Sequence, residues 1–163
     1  MIRLAGGGGG GAAPLTFFGD GEAFTPVGPA AADEVYITGF VLPYELTFSN
    51  IGVDLHNTDN ANDYDIGIYD QAGNLVADIG AQPLPAGGVQ TFATVQGVQT
   101  INPGLYLFAF TGAAIKVTFN NDSDSPVWVL NANVAASVGG ALPASIGAVA
   151  VAPTGGRTFL MLF

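Results

Sequence analysis

The chain carries one histidine, thirteen acidic side chains and no cysteine, so the chemistry open to it is that of carboxylates, hydroxyls and a single imidazole. Hydrolysis by a Ser-His-Asp arrangement needs a base beside a nucleophile and an acid that orients the base. His56 is the sole base of that kind, and its surroundings, Asp54-Leu55-His56-Asn57-Thr58-Asp59, hold no nucleophile-elbow pattern. It reads as a surface-loop histidine whose replacement by Ala costs no function. Paired carboxylates are the second option, because an acid and a base about 5–10 Å apart across a cleft can cleave a glycosidic bond. Asp63, Asp65 and Asp70 lie close together, and Asp63 and Asp65 would share one face of a strand at about that separation. A chain of this length rarely holds a long sugar cleft, and most of its aromatics fall in core alternation. The expectation is therefore no catalytic residue and no hydrolytic activity.

Two stretches are rich in hard oxygen ligands. One runs from Asp54 to Asp65 and includes Asn57, Asp59, Asn60, Asn62 and Asp63; the other is Asn120-Asn121-Asp122-Ser123-Asp124. Calcium takes six to eight such oxygens from loops. Neither stretch has EF-hand spacing, since Ala61 stands where a ligand would follow Asp59 and no Glu closes the loop. Asp and Asn are equally at home in turns. Both stretches are read as solvated turns, with a structural Ca²⁺ as the alternative, and no cofactor is expected. Trp128, between Val127 and Val129, is read as a core or interface residue rather than a sugar-stacking platform.

The elements that would position these residues follow from composition and periodicity. Gly (24) and Pro (10) are abundant in the 163 residues, which favours short strands and many turns over long helices. Only 10% of residues are charged and 49% are hydrophobic, against roughly 25% charged in an ordinary soluble domain. Such a chain has too little charge to cover an isolated monomer, and burying surface against copies of itself would resolve the mismatch. The net charge is −10, with Arg3, Lys116 and Arg157 as the only strong cations. Nucleic-acid binding needs several cations to neutralise phosphates, so it is excluded, and attraction to an anionic membrane fails for the same reason. The absence of cysteine fits synthesis in a reducing cytoplasm. Arg3, Leu4 and Ala5 lead straight into glycines, where a secretory signal would need a continuous apolar core. The uncharged stretch between Asp124 and Arg157 is broken by Asn131, Asn133, Gly139, Gly140, Pro143 and Gly147. It is read as strands, since a membrane helix needs about 20 predominantly apolar residues.

The chain divides into an arm, residues 1–33, and a body, residues 34–163. The arm contains a glycine run from Gly6 to Gly11, then a turn-rich stretch with no sustained period of 2 or 3.6. Phe17, Phe18 and Phe24 make it too apolar for a solvated tether, so it is expected to dock on a neighbouring subunit. In the body, strands are expected near 35–41, 45–55, 64–69, 75–79, 89–95, 105–111, 115–119, 127–134, 148–152 and 158–163. Tyr64, Ile66 and Ile68 alternate with Asp65 and Gly67. Apolar parity slips between Phe48 and Ile51, which predicts a bulge at Ser49 and Asn50. Residues 105–110 are apolar on both faces, which predicts a central strand, and Asp70-Gln71-Ala72-Gly73-Asn74 predicts a tight turn. Together these elements predict an all-β protein, a single antiparallel β-sandwich of jelly-roll type with an extended Gly-rich N-terminal arm.

Three segments carry a family resemblance: Leu46-Thr47-Phe48-Ser49-Asn50-Ile51-Gly52-Val53, then Asp65-Ile66-Gly67-Ile68-Tyr69-Asp70-Gln71-Ala72-Gly73-Asn74-Leu75-Val76, then Asn102-Pro103-Gly104-Leu105-Tyr106-Leu107-Phe108-Ala109. The stretch from about 34 to 112 resembles the β-sandwich surface and structural modules of tailed bacteriophages, found in capsid-decoration, tail-fibre and adhesin proteins. Leu107 stands where such modules often carry Trp. The resemblance implies a sandwich fold, a homotrimeric habit, a virion location and no catalytic residue. A capsid decoration (cement) protein is favoured over a short fibre or tail component, because fibres usually carry a longer shaft. The implied partners are copies of the chain and other virion proteins such as the major capsid or tail protein. The competing expectation is a carbohydrate-binding adhesin that recognises a host surface glycan, which would expose a cluster of aromatics.

Overall fold

The structure, a computed structural model, describes residues 31–119, 138–147 and 161–162. The described residues are all-β: eleven strands in antiparallel pairings and no helix. The strands are β1 (Tyr36–Leu42), β2 (Leu46–Phe48), β3 (Asn50–Asn57), β4 (Asp59–Asp70), β5 (Leu75–Asp78), β6 (Gln82–Leu84), β7 (Gly88–Ala93), β8 (Gln99–Ile101), β9 (Gly104–Gly112), β10 (Thr118–Phe119) and β11 (Met161–Leu162). One sheet has the order β1-β9-β4-β5, with β6 continuing along the same edge of β4. A second is built on β3, which pairs with β7, β10 and β11, and a short ribbon joins β2 to β8.

Side chains from all three sheets meet in one buried cluster, which gives a sandwich-like core. Its centre is the alternation expected of β4: Tyr64, Ile66 and Ile68 point inward beside Phe108 and Phe110 of β9, and Ile51, Val53 and Leu55 of β3 belong to the same cluster. The rings of Tyr64 and Phe110 lie parallel, 5.9 Å between centroids. Each of these side chains is almost fully buried, a state that contributes about 1.5–3 kcal/mol for each large apolar group.

The strand at 105–110 is central, as its two apolar faces demand: β9 lies between β1 and β4. Its second face has an unusual cover. Leu107 and Ala109, with Val35, Ile37 and Tyr69, pack beneath Leu142 and Ile146 of a segment at 138–147 that contains no strand of its own. The turn at 70–74 also forms, closed by Asp70 N–H to Asn74 O at 2.9 Å and Gly73 N–H to Asp70 O at 3.0 Å. The Asp70 side chain accepts from both nitrogens of Asn74, which holds its carboxyl below the usual range.

Several expectations change. The predicted strand at 45–55 is two strands, and no bulge joins them. At Ser49 the chain leaves the β2–β8 ribbon and enters the β3 sheet, so the slip in apolar parity marks a change of sheet. Thr94 fixes the crossing, its N–H donating to Ser49 O at 2.9 Å. The oxygen-rich stretch from Asp54 to Asp65 is not a loop: β3 runs on to Asn57 and β4 begins at Asp59. Two short strands, β6 and β8, were not expected. The strands predicted at 127–134 and 148–152, Trp128, the cluster Asn120 to Asp124 and residues 1–30 of the arm, with Gly6, Gly11, Phe17, Phe18 and Phe24, lie outside the described residues. At the inner end of the arm, Asp33 N–H donates to Gly112 O at 2.8 Å, which ties this point to the end of β9.

Candidate functional site

The residues singled out for carboxylate chemistry fall into two places. At the start of β4, the Asp59 carboxylate accepts from Ala61 N–H at 2.9 Å, from Asn62 Nδ2 at 2.6 Å and from the Tyr64 hydroxyl at 2.8 Å. Lys116 Nζ stands 3.6 Å away. The Asn62 bond is the largest cause that holds the Asp59 carboxyl down at about 2, and the Ala61 bond follows. Each charge-assisted bond favours the ionised form, and together they anchor the start of β4 around this carboxylate. Burial and the bond to Asp59 push the Tyr64 hydroxyl well above the ordinary tyrosine range.

Asp63 and Asp65 do share strand parity, but they do not form a pair. Asp63 is exposed, whereas Asp65 is buried to 1% exposure beneath the 138–147 segment. The partner of Asp65 is instead Asp78. In the β4–β5 register Gly67 stands opposite Asp78, so Asp65 and Asp78 are diagonal neighbours on one face. Gly67 leaves that face without a side chain between them. A Cβ there would come within 2.7 Å of Leu142 Cδ1 and 3.1 Å of Asp78 Cβ. Only glycine lets Leu142 lie down against the sheet at this point.

The surroundings of the two carboxyls are nearly closed. Leu142 N–H donates to Asp65 Oδ2 at 3.0 Å. Asp78 Oδ1 accepts from Gln96 Nε2, and the Asp78 backbone N–H donates to Gln96 Oε1 at 2.9 Å. Asp65 Oδ1 is buried with no hydrogen-bond partner. Burial is the main cause that raises the Asp65 carboxyl, to about 7; the Leu142 bond works against it, and the adjacent Asp78 adds to it. The loss of water and a neighbouring carboxyl both favour the neutral form of Asp65, so it keeps its proton to higher pH than an exposed carboxyl does. Tyr69, on the same face, is raised by burial first and then by both carboxyls; its hydroxyl donates to Pro143 O at 2.6 Å.

The arrangement can hold a proton and a backbone segment. Leu142 lies over Gly67 between the two carboxyls, and both carboxyls are buried from solvent. His56 is exposed on β3. Among the described residues no three His, Cys, Asp or Glu side chains gather as a metal-binding group, and no helix is long and apolar enough to cross a membrane. Sequence reasoning missed Asp78 and Gln96. The signal available was the 70–74 turn, whose register sets Gly67 near 78 and so brings Asp65 beside it.

The remaining feature is the surface itself. Val41, Val89, Val95, Val98, Ile115 and Val138 are each more than half exposed, up to 85% at Val138. All of β7 beyond its pairing with β3 is exposed or half-buried. Comparison with family models, with curated proteins and with solved structures found no match for the chain.

Proposed function

We propose that the chain is a non-enzymatic structural protein of a bacteriophage virion, which assembles as a homotrimer on the particle surface as a capsid decoration protein or a short fibre or tail component. The observation that carries the reading is the pairing of a chain with only 10% charged residues with six largely exposed branched aliphatic side chains. Branched aliphatic side chains left exposed on so weakly charged a chain are what an assembling subunit covers with its neighbours. The loss of Asp63 and Asp65 as a catalytic pair and the saturated Asp59 support the non-enzymatic part. The sandwich is of jelly-roll type in this reading, and residues 1–33 are the arm that fastens one subunit to the next. An adhesin that stacks sugars would rest on exposed aromatics, and among the Phe and Tyr rings whose burial is described Tyr44, at 41%, is the most exposed.

The arm supplies the experiment. Glycine has no Cβ, so the run from Gly6 to Gly11 can thread between closely spaced backbones. Ordering it costs on the order of 1–2 kcal/mol per residue, and burial of Phe17, Phe18 and Phe24, at about 1.5–3 kcal/mol each, offsets much of that. The chain lacking residues 1–24 should fold with an unchanged melting transition, yet fail to co-sediment with purified particles that retain the full chain. Retention of the truncated chain at the full-length level, or absence of the full chain from the particles, would refute the assignment.

A further inference from the structure

We propose that Asp65 and Asp78 form a proton-operated latch that clamps the 138–147 segment over the outer face of the β1-β9-β4-β5 sheet, closed when the pair shares a proton and released when it is lost. The proposal concerns regulation and stands apart from the virion reading above.

The segment is held at four kinds of place. Its apolar contact is Leu142 on Gly67, with Ile146 beside it. At one end Ile146 N–H donates to Gly73 O at 2.9 Å, and Leu75 N–H donates to Ala144 O at 3.0 Å. At the other Gly140 N–H donates to Asp33 Oδ1 at 3.2 Å. In the middle the Tyr69 hydroxyl donates to Pro143 O, and Leu142 N–H donates to Asp65 Oδ2. The central contact therefore runs through a buried carboxyl whose second oxygen, Oδ1, has no partner.

A proton resolves that defect. Two carboxylates accept and cannot donate to each other. With a proton on Asp65 Oδ1, that oxygen becomes a donor to Asp78, whose Oδ1 is already met by Gln96 Nε2. Every described polar atom of the pair is then used and no net charge is added to the buried pair beyond one. A divalent cation fits less well. With one oxygen of each carboxyl engaged by Leu142 and Gln96, two carboxylate oxygens remain, where calcium takes six to eight ligands.

No cation among the described residues faces the pair. Tyr69 of β4 and Asp78 of β5 are the titratable groups in contact with Asp65. From β9, Thr111 stands opposite Asp65. The segment 138–147 has no titratable side chain, and at its far end Gly140 meets Asp33 and the Asp63 backbone carbonyl. Each ionisable neighbour is thus acidic. When the shared proton leaves, a second negative charge appears under Leu142, and opening the segment to admit water is the available relief.

The direction with pH follows. The closed form binds a proton that the open form, with an ordinary carboxyl, has released, so closure is strongest at acidic pH and weakens as pH rises toward 7, levelling off above. The test is amide exchange on the full chain, corrected for intrinsic rates, from pH 5 to pH 8, with Leu142 and Ile146 compared against Phe108 and Phe110 of β9. Protection of the first pair should fall by about tenfold or more over that range, while β9 changes little. Asp65→Asn, whose amide donates to Asp78 and accepts from Leu142 without titrating, should hold the segment closed throughout. Asp78→Asn should move the wild-type transition to lower pH. A flat or rising wild-type profile, or an equal fall in Asp65→Asn, overturns the latch. If Asp65→Asn does not fold, an Asp78→Asn transition at the wild-type pH overturns it. Recovery of protection at pH 8 on adding calcium ions also overturns it, because a metal would then fill the site.

Discussion

Gly140→Ala should lower the stability of the fold by about 2–4 kcal/mol, read as a drop in denaturation midpoint with an unchanged slope. Gly140 has φ +76°, where a Cβ is unfavourable, and an added Cβ would lie 2.2 Å from Asp63 O and 3.0 Å from Ala113 N. Both are backbone atoms, one within β4 and one just past the end of β9, so neither can swing aside as a flexible side chain would. The 138–147 segment must lift, and Leu142 and the Asp65 bond go with it. Gly139→Ala separates strain from collision. Its φ is +62°, yet nothing lies within 4 Å of its Cβ position, so it should cost only about 1–2 kcal/mol. Equal effects at the two positions would mean that the segment does not rest on the β4 and β9 backbone at Gly140.

Phe110→Ala should cost about 3–5 kcal/mol, the largest loss expected from a single substitution in the described core. Phe110 is fully buried on the central strand β9 and lies flat against Tyr64, which in turn donates to Asp59. Removing the ring leaves a cavity bounded by paired strands on both sides, which cannot collapse to fill it. Phe92, half-buried on β7, packs on the same core from a strand that, among the described residues, is paired along one side only. Phe92→Ala should cost clearly less. Urea midpoints of the two variants check the order, and a Phe92→Ala loss as large as that of Phe110→Ala would place the core elsewhere.

Elements whose apolar residues alternate, or fill both faces, were legible in the sequence. Tyr64, Ile66 and Ile68 fixed the inward face of β4, and residues 105–110 announced a strand covered on two sides. What covers the second face was not legible, because Leu142 and Ile146 sit in an irregular segment whose Gly and Pro content reads only as turns. The break at Ser49 was visible as a parity slip, but parity alone does not distinguish a bulge from a change of sheet. Gln82-Pro83-Leu84 and Gln99-Thr100-Ile101 are too short and too polar to show a period, so no pattern in the sequence marks β6 and β8. The carboxyl pairing went wrong for a related reason. Asp63 and Asp65 share parity on one strand, yet burial is set by a distant segment and the true neighbour comes from the next strand. A pair formed across a ladder needs the register, and the register rests on the bulge between Ile68 and Tyr69 as much as on the turn.

Sedimentation of the full chain at micromolar concentration reads the proposed self-association. A surface this poor in charge, with Val89, Val95, Val98 and Val138 exposed, should be covered by other copies. A homotrimer should sediment as a single species of three times the 16.5 kDa chain mass, persisting on dilution. A stable species of 16.5 kDa would contradict it.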